Sequence, residues 1–181
     1  MVLSVFGGTV AFSESVAAQS FDSGSVTPST VQEQTTNEHA VTVTVSDVNT
    51  NDTETQTLTL DFPDSLDLSG TSATDFSATN MTLAAAPAIN QTTNVVTIQT
   101  DDDGGVASDT VTYEFNVTDV TTPDVGSDTD ADVTASFDAT SDGTDEFGGE
   151  VVQTLTIEAT GPPAGATRTG PGGTGEFDTA D

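Results

Sequence analysis

The chain has 181 residues, with 30 Asp or Glu against one basic side chain, Arg168, and no Lys, for a formal net charge of -29. Nothing in it can neutralise phosphate, so nucleic acid and anionic membrane surfaces are excluded as partners. It has no cysteine, hence no disulfide and no thiolate metal site, and its length supports one modest core.

A charge this one-sided opposes compaction at ordinary ionic strength. At molar salt the Debye length shrinks to about 3 Å and most of the repulsion is screened. The acidic, lysine-free composition is therefore read as adaptation to very high salt. Intrinsic disorder is the competing reading, and the strand-like alternation through the middle of the chain argues against it there.

Residues 1–18, M-V-L-S-V-F-G-G-T-V-A-F-S-E-S-V-A-A, form an apolar run closing on small residues. Val16 and Ala18 are spaced like the small residues before a signal-peptidase cut, so this segment is expected as a signal-peptide-like leader, truncated at its N-terminus because the basic opening is missing. The alternative for the same run is a first β-strand. Residues 19–36 are expected as a polar linker with an edge strand around Val26-Thr27-Pro28-Ser29-Thr30-Val31, since Pro28 lacks a donor.

Residues 37–160 are expected as the β-sandwich. Val41, Val43 and Val45 alternate with polar residues, and after the Asn49–Asp52 turn Leu58, Leu60 and Phe62 do the same. Leu66, Leu68 and Phe76 are placed over the core from a longer connection. Met81 and Leu83 mark a short strand before the Ala84-Ala85-Ala86-Pro87 bend, and 95–100 makes another strand. The amphipathic stretch 108–120 sets Val111, Tyr113, Phe115 and Val117 inward against Thr112, Glu114, Asn116 and Thr118 outward, and is expected at the centre of the core. Val133, Ala135 and Phe137, then Val151, Leu155 and Ile157, complete the inward set. About seven to eight short strands separated by turn residues predict an all-β, immunoglobulin-like antiparallel sandwich. Residues 161–181, rich in Gly, Pro and Thr, are expected as a flexible tail.

Two stretches carry a family resemblance. M-V-L-S-V-F-G-G-T-V-A-F, followed by Ala17-Ala18, resembles the later part of the signal sequence of haloarchaeal surface (S-layer-type) glycoproteins. V-T-P-S-T-V-Q-E-Q-T-T-N-E-H-A-V-T-V-T-V-S-D-V resembles the opening of immunoglobulin-like repeats in archaeal surface proteins. The family's closing features, a Thr-rich stalk, a Pro-Gly-Phe motif and an apolar anchor, are not matched, since Pro171-Gly172 is followed by Gly173. The resemblance implies export to the cell surface and self-association, or contact with other surface proteins, in a layer or appendage. A filament or pilus subunit completed by a donated strand is the alternative. A secreted ligand- or sugar-binding module is the third reading.

Four N-glycan acceptor sequences occur, at Asn51, Asn80, Asn90 and Asn116, each in a turn or on a polar strand face. Two acidic clusters, Asp101-Asp102-Asp103 and Asp128, Asp130, Asp132, are candidate calcium ligands on loops, with a third set at Asp142, Asp145 and Glu146. Hydrated, salt-adapted turns are the alternative reading of all three. No other cofactor is expected. Catalytic residues are expected to be none: His39 is the only histidine, and no G-x-S-x-G elbow exists for a nucleophile.

Overall fold

A computed structural model describes residues 19–50, 54–140 and 146–161. They form eleven strands: β1 (Ser20–Thr27), β2 (Thr30–Gln32), β3 (Thr36–Val48), β4 (Thr55–Asp61), β5 (Ala73–Ala78), β6 (Met81–Leu83), β7 (Ala88–Asn90), β8 (Val95–Asp102), β9 (Asp109–Thr121), β10 (Thr129–Asp138) and β11 (Glu146–Glu158). The leader-like residues 1–18, Asn51, Asp142, Asp145, Arg168 and tail residues 162–181 lie outside the described residues.

The smaller sheet runs β1-β3-β9-β5 and the larger β2-β11-β10-β4-β8-β6, with β7 also on β8. All pairings are antiparallel except β2 on β11. The fold is all-β, a sandwich whose strand order follows the immunoglobulin pattern of four strands packed on an extended second sheet. One departure is that β5, on the outer edge of the smaller sheet, precedes β8 in the chain. Eleven strands replace the expected seven or eight because the edge strand divides and the long connection contributes β5 and β7. Pro28 is where it divides. β1 pairs with β3 up to Thr27, and the proline, with no N–H to give a ladder, ends that pairing; the chain then joins β11 as β2.

The core follows the predicted alternation for most of its length. Val41, Val43, Val45, Leu58, Leu60, Phe62, Leu66, Leu68, Val133, Ala135 and Phe137 are all buried. On β9, Val111, Tyr113, Phe115 and Val117 are no more than 2% exposed, and the strand lies between β3 and β5 in the middle of the smaller sheet. Five rings cross the core in a row: Phe21, Phe147, Phe137, Tyr113 and Phe76, with successive centroids 5.1, 5.8, 6.1 and 6.4 Å apart. They come from β1, β11, β10, β9 and β5, so the row ties both sheets together from edge to edge.

β11 departs from the expected phase. Val151 is 54% exposed and Val152 is buried instead. The cause is in the register: Gln153 faces Val133 but Val151 faces Thr134, leaving Val152 as an extra residue, and the next step leaves Gly149 extra. Each bulge shifts the alternation by one. Gly148 permits the second, because a Cβ there would stand 2.4 Å from Ser136 Cα. Four further bulges lie in the smaller sheet, one of them at Asp22 on β1, and the other three each hold an aspartate at positive φ: Asp47 at 58° on β3, Asp75 at 54° on β5 and Asp119 at 59° on β9. Asp is among the few side chains that tolerate this region. After Asp47 and Asp119 the phase resets, which is why Val48 and Val120 are buried alongside Val45 and Val117.

Candidate functional site

The described residues contain no Lys or Arg, so their carboxylates find neutral donors. On the outer face of the larger sheet Thr154 Oγ1 donates to Asp132 at 2.6 Å and Thr156 Oγ1 to Asp130 at 3.0 Å, both across the β10–β11 ladder. Thr55 Oγ1 donates to Asp101 at 2.7 Å across β4–β8. On the smaller sheet Ser108 Oγ donates to Asp47 at 2.7 Å, Ser77 Oγ to Glu114 at 3.3 Å, and Ser46 Oγ to Asp22. An exposed ion pair contributes only about 0–1 kcal/mol, so replacing cations with hydroxyls costs little locally. Unlike a cation, a hydroxyl cancels no charge. The outer faces therefore hold their carboxylates in fixed positions while keeping the full negative charge.

The calcium candidates are distributed rather than gathered. Asp101 and Asp102 are successive residues of β8, not one turn, and a strand sends them to opposite faces. Asp101 meets Thr55, whereas Asp102 accepts from Gln56 Nε2 at 2.8 Å. Asp103 follows the strand, its N–H bonded to Asn80 O at 3.0 Å. Asp130 and Asp132 lie within β10 rather than on a loop, facing the β11 threonines, and Asp128 accepts from the Ala159 N–H at 3.0 Å. Glu146 opens β11 opposite Asp138. Among the described residues no group of three Asp, Glu, His or Cys could hold a metal ion.

Asn80 and Asn90 are exposed and Asn116 is half-buried on the outward side of β9. Asn80 sits in the turn entering β6 with φ 55°, and its Nδ2, the atom an N-glycan would join, donates to Asp109 at 2.7 Å. Asn116 Nδ2 donates to Asp75 at 3.2 Å. Asn90 instead uses Oδ1, accepting the N–H groups of Thr92 at 3.0 Å and Thr93 at 3.3 Å.

His39 is fully buried on β3, with Nδ1 3.1 Å from Pro28 O and no partner for Nε2. Burial pushes its pKa below the ordinary value, against the smaller opposing effect of that carbonyl. It is thus a neutral ring at the β1–β2 crossover. Glu33 was not marked out by its polar surroundings in the sequence. It is 7% exposed, and its Oε1 accepts from both N and Oγ1 of Thr160 while Oε2 accepts from Val125 N at 2.7 Å. The Thr160 hydroxyl is the main reason its pKa falls below the usual carboxylate value, followed by the Val125 and Thr160 N–H groups. One carboxylate so fastens the ends of β2 and β11 and the β9–β10 loop. A depression of about 230 Å³ on the larger sheet is lined by Asp61, Phe62, Pro63, Asp64, Asp132 and Thr134. It is smaller than the roughly 300–1,000 Å³ of small-molecule pockets, and three of its six lining residues are aspartates.

No protein-family model matches the chain, and no curated protein matches it. Among solved structures it is similar to the N-terminal domain of a Streptococcus gordonii adhesin, with a TM-score of 0.46 and 11% identity over 76% of this chain and 32% of that one. It is also similar to the C-terminal fragment of the Streptococcus agalactiae major pilin, with a TM-score of 0.46 and 12% identity over 77% of this chain and 56% of that one. The major pilin subunit of Bacillus cereus gives 0.44 and 9% over 78% and 40%. The chain thus spans about a third of the first of these structures and a little over half of the second.

Proposed function

We propose that this chain is a non-enzymatic structural module of an extracellular surface layer or appendage, built to stay folded and solvated in very high salt and to self-associate there. The observation that carries the reading is the pair of outer faces on which Thr and Ser hydroxyls hold rows of carboxylates without any cation. Such faces bind water and counterions strongly and offer no gathered catalytic or metal-binding group among the described residues. The haloarchaeal setting rests on the acidic composition and the leader-like and Pro28-bearing residues. Asn51 and Asn116 are the proposed glycan attachment points. Any cross-linking between copies is non-covalent or passes through other groups, because the sequence has neither cysteine nor lysine.

Intact mass of the native protein tests the reading. Loss of residues 1–18 together with mass increments of sugar at acceptor peptides is the expected result. An unmodified mass beginning at Met1 refutes export and glycosylation together. Circular dichroism against salt tests the other half: the fold is expected to be lost in dilute buffer and regained in molar KCl, since repulsion among about thirty like charges is screened only there. Full folding in dilute buffer would remove the high-salt reading.

A further inference from the structure

The carboxylates are spread along the chain at 30 in 181 residues, so any 25 consecutive residues should hold about four. Residues 76–100 hold none. The fold places the middle of this stretch on one feature, the outer edge of the larger sheet. β6 and β7 both lie along β8, Met81 to Leu83 facing Asp102 to Thr100 and Ala88 to Asn90 facing Thr97 to Val95, with the Ala84–Pro87 kink between them. Leu83 is 38% exposed, and Ala84, Ala85, Ala86 and Ala88 are exposed beside it. The other sheet edges differ: β1 carries Asp22, β5 carries Asp75, and β2 runs directly into Glu33.

We infer that this uncharged edge, residues 81–90, is where a second copy of the same chain docks, edge to edge and antiparallel across a two-fold axis. The inference rests on the self-association reading above and names its surface. A basic partner would be drawn to the carboxylate rows and has no reason to seek the one edge without them. A partner as acidic as this chain can approach closely only here, and a second copy is such a partner. The two-fold arrangement follows from where the nearest acids stand. Asp101 and Asp102 flank only the Met81 end, while the Asn90 end runs into the uncharged turn Gln91-Thr92-Thr93-Asn94. Antiparallel apposition sets each acidic end against the other copy's uncharged end. The two Asp pairs are then held about 20–24 Å apart, six to seven β8 residues from Val95 to Asp101 and Asp102 at roughly 3.4 Å each, well beyond the Debye length of about 3 Å at molar salt. A parallel apposition would put the four aspartates together. Pro87 and the kink keep each ladder to three residues, so the contact closes on itself as an isologous pair instead of extending as an open sheet.

The test is sedimentation velocity of the full chain, made without glycans, in molar KCl over a wide concentration range. It compares the wild type, the edge variant Ala85→Asp/Ala88→Asp, and a control adding two charges at exposed sites elsewhere, Ala107→Asp/Ser127→Asp. Near-UV circular dichroism of the buried Tyr113 checks that each variant is folded. The wild type is expected to dimerise, the edge variant to dimerise at least about tenfold more weakly, and the control to match the wild type within about twofold, like charges in direct apposition being strongly disfavoured. Amides of 81–90 in the wild type should gain hydrogen-exchange protection as concentration rises. Dimerisation of the edge variant as tight as the wild type's, with no protection gained at 81–90, overturns the docking edge and leaves self-association standing. A wild type that stays monomeric throughout overturns both.

Discussion

Phe137 is the middle ring of the row that joins the two sheets, and truncating it tests whether that row holds the sandwich together. It is fully buried on β10, with Phe147 at 5.8 Å and Tyr113 at 6.1 Å on either side. Phe137→Ala opens a ring-sized cavity, at a cost of about 3–5 kcal/mol. Against a domain stability of roughly 5–15 kcal/mol, that loss would leave a fold at the low end of the range barely populated. Phe137→Leu keeps most of the volume and loses two ring–ring contacts, each worth about 0.5–1.5 kcal/mol beyond burial, so about 1–3 kcal/mol is expected. Phe21, at the half-buried end of the row with one neighbour at 5.1 Å, should cost less as Phe21→Ala, about 1–2 kcal/mol. Urea unfolding at one fixed KCl concentration gives all three differences, and an unchanged m-value shows that the same surface is being exposed. Phe21→Ala costing as much as Phe137→Ala, or Phe137→Ala costing under about 1.5 kcal/mol, would refute the row as the tie between the sheets.

Three further outcomes are expected. Gly148→Ala drives a Cβ into Ser136 Cα at 2.4 Å and should cost about 2 kcal/mol or more in thermal unfolding, whereas Gly126→Ala, with nothing near its Cβ, should cost under about 0.5 kcal/mol. Asp119→Gly should be neutral within about 0.5 kcal/mol, while Asp119→Val, forced to positive φ on a β-branched residue, should cost about 1–2 kcal/mol; equal effects would mean that the bulge does not depend on backbone conformation. His39 and Glu33 each make the fold less stable as pH falls, over different windows. His39 has its folded pKa below the ordinary 6.5, so the unfolded chain takes up the proton first, and stability present above about pH 6.5 declines as pH drops through the folded value. Glu33 has its folded pKa below the ordinary 4.5, so its contribution is present above about pH 4.5 and is lost as pH falls through its folded value. Melting temperature against pH at fixed salt should therefore lose its upper limb in His39→Gln and only part of its acid limb in Glu33→Gln, since the Ser69 N–H also holds the Asp67 carboxyl below its ordinary value, and unchanged curves would contradict the assignments.

The strands that were legible in the sequence are those with an uninterrupted period of two. Residues 108–120 show their inward set directly, and β3, β4 and β10 do so almost as well, because one buried face and one wet face leave a simple alternation. β11 was misread at Val151 for an identifiable reason. Its two bulges insert single residues, and a slip of one exchanges inside for outside without any change in composition. Gly148-Gly149 was the available clue. Phe21 and Phe147 went unnoticed as core rings for the same reason, each lying beside a register shift. Asp101, Asp102, Asp130 and Asp132 lie in strands rather than loops, whereas Asp103 and Asp128 lie outside them; because Asp is rare in strands, composition alone places all six in loops. In a chain with so few other polar charges, Asp occupies outward strand positions opposite Thr, and only the pairing reveals that. Glu33 left no signal, since its partners Val125 and Thr160 lie far along the chain and meet it only in the fold.

The one parallel pairing of the sandwich gives the chain a mechanical character. β2 and β11 run in the same direction, with Thr30, Val31 and Gln32 beside Thr156, Ile157 and Glu158. A pull entering from the N-terminal side draws β2 backward along its axis, and a pull leaving from the C-terminal side draws β11 forward along the same line. Once β1 has yielded, the two strands must slide past one another, and their hydrogen bonds are loaded together instead of opening one at a time. The Thr156 N–H to Ser29 O bond at 2.7 Å, the Glu33 N–H to Glu158 O bond at 3.0 Å and the grip of Glu33 on Thr160 all lie across that line of shear. Single-molecule pulling of Glu33→Gln should break at a lower force than the wild type, and an unchanged rupture force would place the resisting contacts elsewhere. A module of a surface exposed to flow or drag would carry its load through this short seam.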